Sequence, residues 1–205
     1  MKEKTSVDAE AEFEVPTWRQ IYFLLLGQAE KIRESSFKPG VIIAISRGGW
    51  LPARVLADLL ETGLGNVSVE FYVGVAETRK APVLTQGASV PVAAKKVLAV
   101  DDVADSGESL KLVKAHVLQQ GATEARVATI YYKPWSGVKP DFYAQETRRW
   151  VVFPWEIKET IKKIVEKGRD KDDVDVVIAK LVKAGLPKHL AEKFLKEMMF
   201  EERAC

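Results

Sequence analysis

The stretch "VLAVDDVADSGESL", residues 97–110, decides how the rest of the chain reads. Four apolar residues, Val97 to Val100, run into two adjacent aspartates, Asp101 and Asp102. A third, Asp105, precedes Ser106 and Gly107, and "ESLKLVKAHVLQQG" (108–121) then carries a helical pattern. A short continuous apolar run suits a strand buried on both faces, as in a parallel sheet. In such sheets ligands bind outside the carboxyl ends of the strands, which is where this run delivers its acids. The helix that follows opens with unpaired N–H groups and a partial positive charge, a setting that suits a phosphate. Ser106 and Ser109 add hydroxyls, and Gly107 permits close backbone approach. An anion site beside two carboxylates suits a sugar phosphate, with sugar hydroxyls or a hydrated Mg²⁺ meeting the acids. No Lys follows the glycine, which excludes the Gly-Lys-Ser/Thr nucleotide loop.

The neighbouring segments repeat the strand–helix rhythm. "VIIAI" (41–45) is a second continuous apolar run, followed by "SRGG" and by "WLPARVLADLLETG" (50–63), a helix expected to stop at Gly63. "VSVEFYV" (67–73) and "ARVATIYY" (125–132) read as further strands. Upstream, "TWRQIYFLLLGQAEKIRES" (17–35) sets Trp18, Ile21, Leu25, Ala29 and Ile32 on one helical face, with Thr17 as N-cap. The alternation predicts an α/β fold, a doubly wound and mostly parallel sheet. Residues 1–13 are polar and expected to fray. Residues 74–94 show no period and contain prolines and glycines, so they are expected to be an irregular, functional loop. After residue 133 come loops with a short strand at 150–153, then helices at 157–168, 174–184 and 187–199 around a charged link, "RDKDD". Leu190, Phe194 and Met198 form an apolar stripe expected in a core or a dimer contact.

The chain has 205 residues, 47% hydrophobic and 29% charged, which allows one domain of ordinary size, or one domain plus a small appendage. A net charge of +2 argues against nucleic acid or an anionic membrane as the main partner. The N-terminal apolar run "IYFLLL" falls far short of a membrane span and follows an acidic stretch, unlike a signal peptide. The one cysteine, Cys205, permits no disulfide framework within the chain, and the expected compartment is the cytoplasm.

The stretch 97–110 resembles the phosphoribosyl-pyrophosphate signature of type I phosphoribosyltransferases: apolar strand, two acids, a third acid, Ser-Gly and a further Ser. "AISRGGWLPARVLADLL" (44–60) is similar to the family's pyrophosphate loop. "ATIYYKP" (128–134) and "RRWVVFPWE" (148–156) resemble the purine-recognition segment of xanthine-guanine and hypoxanthine phosphoribosyltransferases, particularly microbial and archaeal ones. The resemblance implies a phosphoribosyltransferase domain over 1–156, with a purine-recognition hood, and a C-terminal helical extension over 157–205. It implies that Asp101 and Asp102 bind the ribose hydroxyls, with Asp102 also reaching Mg²⁺, and that Asp105 acts as general base near N7 of the purine. Ala104, Asp105, Ser106, Gly107, Glu108 and Ser109 would cradle the 5′-phosphate. Ser46, Arg47 and Gly48 would hold pyrophosphate, with a cis peptide expected at Arg47–Gly48. Arg79 and Lys80 would reach the diphosphate from a lid spanning 74–94. Lys133 would donate to the 6-oxo group, Trp150 would stack on the base, backbone groups around Val151 would read its edge, and Trp155 and Glu156 would shape the pocket or the exocyclic-group site.

The implied reaction moves the 5-phosphoribosyl group of phosphoribosyl pyrophosphate to guanine, hypoxanthine or xanthine, with Mg²⁺, in a homodimer. The apolar Val152-Phe153 leaves those bases unranked. Two alternatives remain at this stage. One is a regulator of the same fold that binds the sugar diphosphate or a nucleotide without turnover. The other is a transferase for adenine or orotate, although the Lys133 ammonium has nothing to accept from a 6-amino group. His116 and His189 are assigned no catalytic part.

Overall fold

The computed structural model describes residues 12–73, 80–168 and 171–201. The strands are β1 (Phe13–Glu14), β2 (Val41–Ser46), β3 (Leu64–Val73), β4 (Lys80–Gln86), β5 (Lys96–Ala104), β6 (Glu124–Tyr132), β7 (Phe142–Glu146) and β8 (Trp150–Val151). The helices are α1 (Trp18–Glu34), α2 (Trp50–Leu59), α3 (Glu108–Gln119), α4 (Ile157–Lys167), α5 (Lys171–Lys183) and α6 (Lys188–Glu201). Packing divides the chain into two units, residues 21–148 and residues 1–20 with 149–205. This division places the 149–156 segment with the C-terminal helices, whereas the sequence reading set a boundary at 156.

The first unit holds a six-stranded sheet in the order β4-β3-β2-β5-β6-β7. All its neighbours are parallel except β3 and β4. The expected α/β class and mostly parallel sheet are therefore observed. Continuous apolar strands are what a sheet covered on both faces requires. Val41, Ile43 and Ile45 of β2 join Val97 and Ala99 of β5 and Leu110, Val113 and Val117 of α3 in one cluster, while the alternate residues Ile42, Ala44, Leu98 and Val100 are also fully buried. From β2 the chain moves outward through α2 to β3, and from β5 it moves the opposite way through α3 to β6. The neighbouring β2 and β5 therefore form a topological switch point, and a crevice opens at their carboxyl ends.

Thr17 caps α1 as expected: its Oγ1 accepts the Gln20 N–H at 3.2 Å, and the Gln20 side chain accepts the Thr17 N–H at 2.8 Å. Ile21, Leu25, Ala29 and Ile32 are buried, but Trp18 is exposed. Part of the expected irregular loop is strand. β4 pairs antiparallel with β3, with Pro82 opposite Phe71, and β4 is the sheet's edge, where a missing N–H breaks no ladder. Residues 74–79, including Arg79, lie outside the described residues. Of the residues 1–13 expected to fray, 1–11 lie outside the described residues, and Phe13 departs from the expectation, since it pairs in parallel with Trp150.

The second unit is built around that short pair. Val152, Ile161, Ile178, Leu181, Leu186, Ala191 and Met198 form its core, with Phe13, Val15 and Phe194 against them. Met198 and Phe194 of the apolar stripe thus belong to this core. α5 begins at Lys171, inside the segment expected to be a charged link.

Candidate functional site

Crossing the switch point, β2 ends at Ser46 and the chain turns through Arg47-Gly48-Gly49 into α2. A cis peptide occurs here, but at Ser46–Arg47 rather than at the expected Arg47–Gly48. The two glycines answer a steric demand. A Cβ on Gly48 would lie 2.2 Å from Asp102 Oδ2, and one on Gly49 would lie 2.2 Å from the Val100 carbonyl oxygen. No Cβ fits at either separation, so the turn presses its bare backbone against β5 and the Asp102 carboxylate. Asn66 Nδ2 reaches Ser46 Oγ at 3.5 Å from β3. Arg47 is exposed.

The strand carrying the acids is longer than its apolar run. β5 continues through Asp101, Asp102 and Val103 to Ala104, pairing Asp101 with Thr129 and Ala104 with Tyr132. The acids are therefore the last rungs of the ladder and not a loop beyond it. Asp102 is 8% exposed and Asp101 is partly buried. The Asp102 N–H donates to Asp101 Oδ1 at 2.9 Å. Burial, followed by the adjacent Asp102 charge, pushes the Asp101 carboxyl well above the ordinary carboxylate range. Two acids held this way favour a partner that brings positive charge or hydroxyl donors.

Beyond Ala104 the chain makes a tight turn through Asp105 and Ser106 to Gly107, the N-cap of α3 at φ 82°. A Cβ on Gly107 would lie 2.7 Å from both Ser136 Oγ and the Val138 nitrogen, so a second loop covers it. Gly137 N–H donates to the Ser106 carbonyl at 2.9 Å, and Lys133 N–H to the Ala104 carbonyl at 3.0 Å. The Glu108 N–H points to Ser106 Oγ at 3.3 Å. The first-turn N–H groups of α3, Ser109 among them, have no intrahelical acceptor, and the helix dipole adds positive potential there.

The 133–138 loop brings two further groups. Lys133, directly after β6, is only 6% exposed. Trp135, which the sequence reading did not single out, donates its indole N–H to Asp105 Oδ1 at 2.9 Å and lies under the Lys133 ammonium, 5.5 Å from ring centre to Nζ. An aromatic in a Pro-containing turn was the available signal; its partner thirty residues earlier was not.

One unit thus assembles Ser46, Arg47, Gly48, Asp101, Asp102, Ala104, Asp105, Ser106, Gly107, Glu108, Ser109 and Lys133. Lys80 opens β4, and its side chain lies outside the described residues. Trp150, Val151, Trp155 and Glu156 belong to the second unit. Trp150 is 62% exposed and lines a cavity of about 610 Å³ together with Phe13, Ile164 and Val176. Trp155 stacks on Phe153, with centroids 4.7 Å apart and planes at 9°, and meets Trp18 at 5.6 Å. Its ring is therefore engaged within its own unit. Val151 is buried in the β1–β8 pair, and Glu156 accepts the Phe153 N–H at 3.3 Å.

A phosphoribosyl transferase domain matches residues 14–179. The chain is 31% identical over 143 residues to a xanthine-guanine phosphoribosyltransferase of Nitratidesulfovibrio vulgaris, covering 68% of this chain and 82% of that protein. Over 121 residues it is 36% identical to a xanthine-guanine phosphoribosyltransferase of Gluconobacter oxydans, covering 56% and 67%. The solved purine phosphoribosyltransferase of Pyrococcus horikoshii Ot3 superposes with a TM-score of 0.64 at 38% identity, over 70% of this chain and 93% of that one. With a domain match running from residue 14 to residue 179 and with a relative of 31% identity over 68% of its length, the chain belongs to the phosphoribosyltransferase family.

Proposed function

We propose that this phosphoribosyltransferase moves the 5-phosphoribosyl group from phosphoribosyl pyrophosphate to a 6-oxopurine, releasing pyrophosphate and forming the nucleoside 5′-monophosphate. The observation that carries the reading is the contact of the Gly48 backbone with the Asp102 carboxylate, which joins the diphosphate turn to the ribose acids. The amides and hydroxyls of residues 104–109 hold the 5′-phosphate, Asp101 and Asp102 bind the ribose hydroxyls, and Ser46, Arg47 and Gly48 meet the diphosphate. Arg79 and Lys80 keep the diphosphate role that the resemblance implies.

The purine N9 attacks C1 of the ribose as the bond from C1 to the diphosphate breaks. Asp105 takes the proton from N7, and Lys133 donates to O6. Ordering the sugar and base together supplies much of the rate, since the transition state has oxocarbenium character and needs little covalent help.

Mg²⁺ fits the acid pair through Asp102. Among the described residues no group of three or more His, Cys, Asp or Glu forms a cage, which suits an ion that takes its remaining oxygens from substrate and water. When bound, Mg²⁺ supplies charge neutralisation for the diphosphate leaving group. Among the described residues no helix is long and apolar enough to cross a membrane. A chain with one cysteine fits the reducing cytoplasm.

A turnover assay with guanine, hypoxanthine, xanthine, adenine and orotate, each with phosphoribosyl pyrophosphate and Mg²⁺, tests the function. Product is expected with 6-oxopurines and not with adenine or orotate. Absence of product with every base would mark a binding protein of this fold. Asp105→Asn is expected to lower kcat by roughly a hundredfold or more, the range of a lost general base, with phosphoribosyl pyrophosphate binding retained.

A further inference from the structure

Resting on that proposed function, we infer that Trp135 is a positioning residue. It sets the spacing between the Asp105 carboxylate and the Lys133 ammonium so that the pair reads the O6/N7 edge of a 6-oxopurine.

Trp135 is 55% exposed, so burial does not explain its placement. Its one polar atom instead binds Asp105 Oδ1 at 2.9 Å, while its ring sits 5.5 Å from the Lys133 ammonium. One side chain therefore touches both groups proposed to contact the base. The backbone supports this arrangement: Lys133 N–H bonds the Ala104 carbonyl, and Gly137 N–H bonds the Ser106 carbonyl, lacing the Trp135 turn to the turn that carries Asp105.

The chemistry of the base gives this arrangement a use. A 6-oxopurine protonated at N7 presents an acceptor, O6, beside a donor, N7–H. Its complement is a donor beside an acceptor. An ammonium only donates and a carboxylate only accepts, so both roles are unambiguous. Asp105 is exposed on a turn, where a carboxylate samples several rotamers. The indole bond to Oδ1 restricts it and leaves Oδ2 for the N7 proton. The ring face attracts the ammonium and limits its range. A 6-aminopurine replaces the acceptor at C6 with a donor and meets Lys133, itself only a donor.

Trp135→Phe keeps the ring and removes the N–H, and Trp135→Leu removes both. For each full-length variant, kcat and KM for guanine and hypoxanthine, KM for phosphoribosyl pyrophosphate and the melting temperature are compared with the unmodified enzyme. The Phe variant should keep its melting temperature and its KM for phosphoribosyl pyrophosphate. Its kcat/KM for the base should fall about tenfold, the loss expected of one hydrogen bond to a charged acceptor. The Leu variant should fall further, again only toward the base. An unchanged kcat/KM in the Phe variant overturns the role of Trp135. So does a parallel rise in both KM values, or a drop in melting temperature that tracks lost activity, since each is the signature of packing alone. An unmodified enzyme with no turnover overturns the proposed function, and with it this role.

Discussion

Burial and the neighbouring Asp102 charge raise the Asp101 carboxyl well above its ordinary 3.8, and the Asp102 N–H bond to Asp101 Oδ1 only partly offsets them. Because the folded value exceeds the unfolded one, the folded state binds the extra proton between them. The associated stability is fully present below the unfolded value and is lost as pH rises through the raised folded value. Asp101→Asn keeps the oxygen that accepts the Asp102 N–H and removes the repulsion. It is expected to raise Tm at neutral pH and to flatten this slope. Its affinity for phosphoribosyl pyrophosphate should fall. A melting temperature at or below that of the unmodified protein would contradict this reading. At this scale the acids and glycines were legible because turn chemistry and charge are local in sequence. The Trp135–Asp105 bond was not, because it depends on how two distant turns meet.

Three helices end in the same way. After α3 and α5 the left-handed residue is Gly121 (φ 88°) and Gly185 (φ 118°), and N–H bonds return to Leu118 and Val117, and to Val182 and Leu181. After α2 that position falls to Glu61 at φ 51°, with Glu61 N–H bonding Asp58 and Thr62 N–H bonding Ala57. The helix therefore stops ahead of Gly63, where the composition pointed. Glu61→Gly should relieve the crowded Cβ and stabilise the protein by about 0.5–1 kcal/mol after the entropy of a freer unfolded chain is counted. Thermal melts would show it as a rise of a few degrees, and a fall would contradict the assignment. β4 was illegible for a related reason. Pro82 argues against a strand in general, and only knowledge that β4 is an edge removes the objection. β1 has two residues, too few to show a period.

For the whole molecule, the parallel sheet was legible because strands buried on both faces write continuous apolar runs such as Val41–Ile45 and Val97–Val100. The grouping of Phe13, Val15 and Val152 with α4, α5 and α6 was not, because it joins segments far apart in the chain. That grouping predicts separable effects. Leu181 is fully buried in the second unit, and Leu181→Ala should cost about 2–4 kcal/mol. The stabilisation added by phosphoribosyl pyrophosphate should persist, since Asp101, Asp102 and the 104–109 turn proposed to bind it belong to the other unit. Loss of that ligand-induced shift in a folded variant would contradict the separation. The central claim is that the turn between β5 and α3 holds a phosphorylated sugar, and a crystal structure with guanosine 5′-monophosphate tests it most directly. The account predicts the phosphate against the amides of residues 104–109 and the ribose hydroxyls against Asp101 and Asp102. A nucleotide bound elsewhere, with that turn vacant, would contradict it.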